Sequence, residues 1–182
     1  MPPAPAPHPT VASPWVRRFL PLVAAGGRVL DLAAGAGRHV TILRQVGYQV
    51  VAVDRDAALL QSAFAGDASC IVTEMDLEDG GPWRLGEGFD GIVVTNYLHR
   101  PLFPAITASL APGGVLIYET FMLGNERLRR PRNPEFLLRP GELTEAFAAL
   151  TTVAFEQGEV TLPYPAVIQR IAAVNGPPGT LP

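Results

Sequence analysis

The chain contains no lysine, and Cys70 is its only cysteine. A single thiol excludes an intramolecular disulfide. Together with three scattered histidines it leaves no ligand spacing for zinc, so no metal is expected. Cys70 sits in the apolar run Cys70-Ile71-Val72 and reads as a small buried hydrophobe. No uninterrupted apolar run approaches the roughly 18 residues that a membrane helix requires, so no membrane partner is expected. Excess positive charge is missing too: the net charge is -3, which speaks against nucleic acid as a partner. The first residues lack a basic stretch followed by an apolar one, so no secretion signal is read and the expected location is cytoplasmic.

What the 182 residues do contain is enough chain for one domain with a substantial core. The Pro-rich segment 1–12 reads as a flexible arm, 13–175 as the domain, and 176–182 as a disordered tail. Ser13-Pro14 opens a helix, with serine as cap and proline at the first helical position. From Arg28 onward strands and helices alternate. Strands are expected at Arg28 to Leu32, Tyr48 to Asp54, Ser69 to Glu74, Phe89 to Thr95 and Val115 to Phe121. Helices are expected at Arg38 to Val46, from an Asp56 cap to about Ala65, and from Pro101 to near Leu110. This alternation implies parallel strands with right-handed crossovers. The last part changes character: a helix at Gly141 to Leu150 precedes two strands, Thr152 to Glu156 and Val167 to Val174, with no helix between them. The expected fold is therefore α/β, doubly wound, with a mostly parallel seven-stranded Rossmann-like sheet ending in an antiparallel hairpin.

The chemistry concentrates at strand ends. In Val29-Leu30-Asp31-Leu32-Ala33-Ala34-Gly35-Ala36-Gly37-Arg38 a strand runs through a small-residue turn into a helix. Gly35 and Gly37 allow a ligand close to the backbone, and the helix start offers free N–H groups. A dinucleotide site needs Gly-x-Gly-x-x-Gly, but the third position from Gly35 is Val40. Asp31, just before the turn, would repel a pyrophosphate and attract an ammonium. Asp54 ends the second strand about 20 residues on, where a carboxylate takes ribose hydroxyls. Asp76-Leu77 follows the third strand, suited to an adenine amino group and ring.

The segments VLDLAAGAGRHV, VAVDRD, MDLED, FDGIVVTNYLH and LAPGGVLIYETF resemble successive motifs of the class I S-adenosylmethionine-dependent methyltransferases, and Gly37-Arg38-His39 is similar to the tellurite-resistance type. The resemblance implies S-adenosylmethionine as cofactor and S-adenosylhomocysteine as product. It assigns cofactor binding to Asp31, Ala33, Gly35, Gly37, Asp54, Arg55, Asp76, Leu77 and Asn96. One departure stands out: the first glycine of the family's Gly-x-Gly-x-Gly is Ala33. The reacting end is expected beyond the fourth strand, with His99, Asn96 and Tyr97 as catalytic candidates and His99 as the general base. Substrate candidates are Glu119 at the end of the fifth strand, and Arg127 and Arg130 in the Arg-rich connection 122–139, which could grip an oxyanion. The function expected is methyl transfer to a small molecule, an anionic one if those arginines grip it. The alternatives are a non-catalytic cofactor-binding partner subunit and an NAD(P)-dependent oxidoreductase.

Overall fold

A computed structural model describes residues 11–177. The expected arm and tail fall mostly outside the described residues. Val11 and Ala12, the last two residues of that arm, are within them, and Ala12 is buried.

Helix α1 (Pro14–Phe19) starts as its sequence dictates: the Ser13 hydroxyl accepts the Trp15 N–H at 3.1 Å. Then follow β1 (Arg28–Leu32), α2 (Arg38–Val46), β2 (Gln49–Asp54), α3 (Ala58–Ala63), β3 (Cys70–Glu74), β4 (Phe89–Thr95), α4 (Phe103–Ser109), β5 (Leu110–Phe121), α5 (Glu142–Ala146), β6 (Thr151–Val160) and β7 (Ala166–Val174). The seven strands form one sheet in the order β3-β2-β1-β4-β5-β7-β6. The first five are parallel, β7 runs antiparallel to β5, and β6 antiparallel to β7. The order reverses direction between β1 and β4, the place where open α/β sheets leave a crevice at their carboxyl ends.

Several boundaries differ from the sequence expectation, each for a local reason. Asp56 does not cap α3. Its N–H is donated to the Asp54 carboxylate, and the helix begins after Ala57 with no side-chain cap. The stretch before α4 is a 3-10 turn, Arg100–Leu102, with the helix proper starting at Phe103. The fifth strand begins at Leu110 and not at Val115, because Leu110 still pairs with Phe89 across a bulge. Cys70 is half-buried rather than buried, since β3 is an edge strand.

Alternating side chains along the central strands divide the core into two layers. Leu30, Leu32, Ile92, Val94, Leu116 and Tyr118 pack on one face with Phe103 and Phe147. Val29, Val93 and Ile117 pack on the other with Trp15, Phe19, Val40 and Leu43. Asp31 has the parity of Val29, so its carboxylate is driven beneath α2 into the second layer. That is the first unusual feature of the site.

Candidate active site

A cleft of about 700 Å³ opens at the carboxyl ends of β1, β2, β3 and β4. This is within the range of small-molecule sites. Its floor is the β1–α2 turn, Ala33 to Ala36, with Arg38 behind it; β2 contributes Asp54, Arg55 and Asp56, and α3 Leu59. The loop after β3 adds Met75 to Glu78, the end of β4 and the residues just beyond it add Thr95 to Tyr97, and Phe136 arrives from the long connection after β5.

The turn shows which small residue does what. Gly35 is left-handed (φ +56), and a Cβ placed there would meet nothing within 4 Å, so its backbone is bare toward the cleft. Gly37 is also left-handed, but its Cβ would come within 2.8 Å of Leu60 and Phe64. It permits close packing of α3 and does not line the cleft. Ala33 adopts φ 54, a conformation that costs an L-residue about 1 kcal/mol or more. Asn96, likewise left-handed at φ 55, tolerates it better.

The acids are held in three different ways. Asp54 accepts the Gly35 N–H at 2.7 Å on one oxygen and the Asp56 N–H at 3.0 Å on the other. Both bonds fix its plane and leave lone pairs free. Asp76 accepts the Glu78 N–H at 2.9 Å on Oδ1, leaving Oδ2 free of hydrogen bonds among the described residues. Asp31 is 1% exposed, does not line the cleft directly, and neither oxygen has a hydrogen-bond partner among the described residues. Burial pushes its pKa up to about 7, opposed by the Arg38 guanidinium, reinforced by Asp54 and eased by the nearby Val40 N–H, which stops short of hydrogen-bond geometry. A fully buried carboxylate without a partner is costly, and one beneath a nucleotide-sized cleft is a place for a cationic group.

Other expected residues sit elsewhere. Arg55, Leu77, Asn96 and Tyr97 line the cleft. The Tyr97 hydroxyl is buried without a partner among the described residues, and burial, with Glu78 and Asp76 nearby, raises its pKa. His99 precedes the 3-10 turn and is not among the cleft residues. Glu119 is tied into a structural network, accepting from Ser13 Oγ at 2.9 Å and pairing with Arg170 at 3.2 Å. Arg127 and Arg130 are exposed and away from the cleft.

Sequence reasoning missed three residues. Arg100 donates to the carbonyls of Glu135 (2.7 Å) and Leu137 (2.9 Å) and pairs with the buried Glu142 (2.6 Å). It thereby grips the backbone on either side of Phe136 and presents that ring at the cleft. Arg38 and Thr95 line the cleft together, their side chains 3.3 Å apart. Only a tertiary arrangement reveals these pairings; no local pattern announces them.

Residues 8–148 match a family model described as a methyltransferase domain, and the chain belongs to that family. Over 104 residues it is 34% identical to protein-L-isoaspartate O-methyltransferase from Chlorobaculum tepidum, covering 56% of this chain and 48% of that protein. The chain thus spans about half the length of such curated relatives. Its fold is similar to that of TehB from Haemophilus influenzae, with a TM-score of 0.71 and 18% identity over 88% of this chain and 60% of that one. It is also similar to an S-adenosylmethionine-dependent methyltransferase from Mesorhizobium loti, with a TM-score of 0.70 and 18% identity over 88% and 96% of the two chains.

Proposed function

We propose that this member of the methyltransferase domain family is an enzyme that transfers a methyl group from S-adenosylmethionine to a small acceptor. The observation that carries the reading is the order of the acids. Asp31, Asp54 and Asp76 stand at or just beyond the ends of β1, β2 and β3, two of them lining one cleft and the third unpartnered below it. The residues suit the cofactor's chemistry. Asp31 answers an ammonium, Asp54 a pair of ribose hydroxyls, and Asp76 an exocyclic amine, while Leu59 and Leu77 offer apolar contact to a ring. The bare backbone at Gly35 admits a ligand. A diphosphate would meet the carboxylates of Asp54, Asp56, Asp76 and Glu78 with only Arg38 and Arg55 to oppose them, which disfavours a dinucleotide.

When bound, the cofactor supplies an electrophilic methyl carbon on a sulfonium. This chain's part is positioning. Asp54, pinned by two N–H groups, orients the nucleoside. Tyr97 and Phe136 wall the cleft with aromatic surface and exclude water. Asn96 and Tyr97, at the end of β4, are assigned to the acceptor side. His99 lies outside the lining, so a proton on the attacking atom would have to leave to a cleft carboxylate such as Glu78 or Asp56. An anionic acceptor would depend on Arg55, because Arg127 and Arg130 do not reach in.

Calorimetric titration with S-adenosylhomocysteine and with NAD tests the cofactor. Binding of the first and not the second is expected; the reverse would establish a dinucleotide site. Asp54→Ala should weaken S-adenosylhomocysteine about a hundredfold or more, by loss of two charge-assisted hydrogen bonds. Labelled methyl transfer over metabolite pools, isoaspartyl peptides, and selenium and tellurium oxyanions then tests the acceptor. Tight cofactor binding with no transfer to any of these would favour the non-catalytic partner subunit.

A further inference from the structure

Tyr97 lines the cleft, and its hydroxyl oxygen is buried with no hydrogen-bond partner among the described residues. A phenol sealed from water in this way costs free energy unless a ligand answers it. Its surroundings select the kind of ligand. Burial first, then Glu78, whose carboxylate is close but short of hydrogen-bond geometry, then the charge of Asp76 push the Tyr97 pKa up. The Arg55 guanidinium opposes them more weakly. Carboxylates therefore outweigh the cation at that oxygen, and the field there is negative. The hydroxyl stays protonated at neutral pH, so it can donate to a carboxylate such as Glu78 and accept from a donor with its lone pairs.

Tyr97 is fixed from below, where the Tyr118 hydroxyl donates to its carbonyl at 2.9 Å. The other aromatic wall, Phe136, is set at the cleft by the Arg100 clamp. Two aromatic rings and two carboxylates, Glu78 and Asp56, thus line the cleft beyond the acids assigned to the nucleoside. A ring face attracts a cation through its quadrupole, and a carboxylate attracts it by charge. An anion would meet all four groups with the wrong sign. Of the two cleft cations, Arg38 donates to Thr95 Oγ1 and to the Val11 carbonyl, and Arg55 is already outweighed at Tyr97.

We propose that Tyr97, Phe136, Glu78 and Asp56 form a subsite for a cationic amine, and that the nitrogen of this amine is the methyl acceptor. The proposal rests on the cofactor reading above and adds the acceptor's chemical class. The ammonium gives one proton to the Glu78 carboxylate, which is exposed and passes it to solvent. The lone pair of the freed nitrogen then forms the N–C bond to the methyl carbon as the C–S bond breaks, and that bond's electron pair stays on sulfur. Positive charge moves from sulfur to nitrogen, so the products are a neutral thioether and a methylated ammonium.

The test uses calorimetry on the chain loaded with S-adenosylhomocysteine, with probes of one shape and different charge: phenethylamine, phenethyl alcohol and phenylpropionate. The amine should bind at least about tenfold more tightly than either of the others. Glu78→Gln should weaken the amine about fivefold or more and leave the alcohol and S-adenosylhomocysteine within about twofold. Phe136→Leu, which keeps apolar bulk and loses the ring, should weaken the amine about two- to fivefold more than the alcohol. Retained binding of S-adenosylhomocysteine reports that each variant is folded. Labelled methyl transfer should follow the same order, with the amine methylated and the acid not. Absent binding of the amine, equal binding of the acid, or equal weakening of amine and alcohol by both variants overturns the proposal while leaving the cofactor reading intact. If the wild-type chain does not bind S-adenosylhomocysteine, the cofactor reading itself falls, and this acceptor subsite with it.

Discussion

Replacing Asp31 by asparagine should make the empty protein more stable while weakening its site. The native carboxylate has a pKa pushed up to about 7, against an ordinary value of 3.8. Between those two values the folded chain binds more protons than the unfolded one, so stability falls as pH rises through the window and levels off above it. Each pH unit of difference corresponds to about 1.4 kcal/mol, so the full penalty at pH 8 is on the order of 4 kcal/mol. Relaxation of the surrounding packing trims that figure, and the amide of asparagine carries a smaller desolvation cost of its own. Urea unfolding of both proteins from pH 5 to 8.5 is the direct assay. The wild-type curve should decline relative to the variant by about 2 kcal/mol or more across that range, and the gap between them should close only as pH falls toward 3.8. Adding S-adenosylhomocysteine should then stabilise the wild type more than the variant, because its ammonium supplies the missing partner. Parallel pH profiles for the two proteins would refute the argument that Asp31 is a buried charge held in reserve for a ligand.

The other predictions concern the walls of the cleft. Ala33→Gly should raise stability by up to about 1 kcal/mol, relief of a left-handed alanine less the added freedom of the unfolded chain; thermal unfolding reads it, and a lower midpoint would count against strain there. Arg100→Met should free the segment around Phe136 and raise the KM for the acceptor several-fold, with cofactor affinity unchanged by calorimetry; a change confined to cofactor affinity would contradict the placement of Phe136. His99→Gln should leave turnover within about twofold of wild type, since the side chain lies outside the lining, and a loss of 100-fold or more would return it to general-base duty.

The repeating order of strands and helices was readable because the central strands are apolar runs bounded by glycine turns, and strand ends are where the cleft-lining acids stand. Asp54, Asp76, Gly35 and Asn96 could be placed from that alone. Gly37 and Asp31 could not be told apart from them in the sequence, although one packs against Leu60 and Phe64 and the other is sealed under α2. Side-chain parity along β1, once the strand's layers are known, explains Asp31. Arginine is where linear reading fell short. The arginines of the long connection suggested an anion grip, yet Arg100, outside it, holds that connection from behind, and Arg38 and Arg55 are the ones in the cleft. A guanidinium reaches several ångströms in any direction, so its partners are set by tertiary contact and not by neighbours in the chain.

The attachment of α1 has a consequence for biosynthesis. Its Trp15 indole donates to the Ile171 carbonyl at 3.2 Å, and Ser13 is joined through Glu119 to Arg170. Every cleft residue leaves the ribosome before β7; Ser13 can meet His39 and Glu119 by then, but the Trp15 indole gains its acceptor, and Glu119 its arginine, only when β7 has been made and inserted between β5 and β6. A nascent chain stalled before that point would carry all the cleft residues with α1 held by only part of its contacts, so the wall behind the cleft should stiffen only when the last strands are in place.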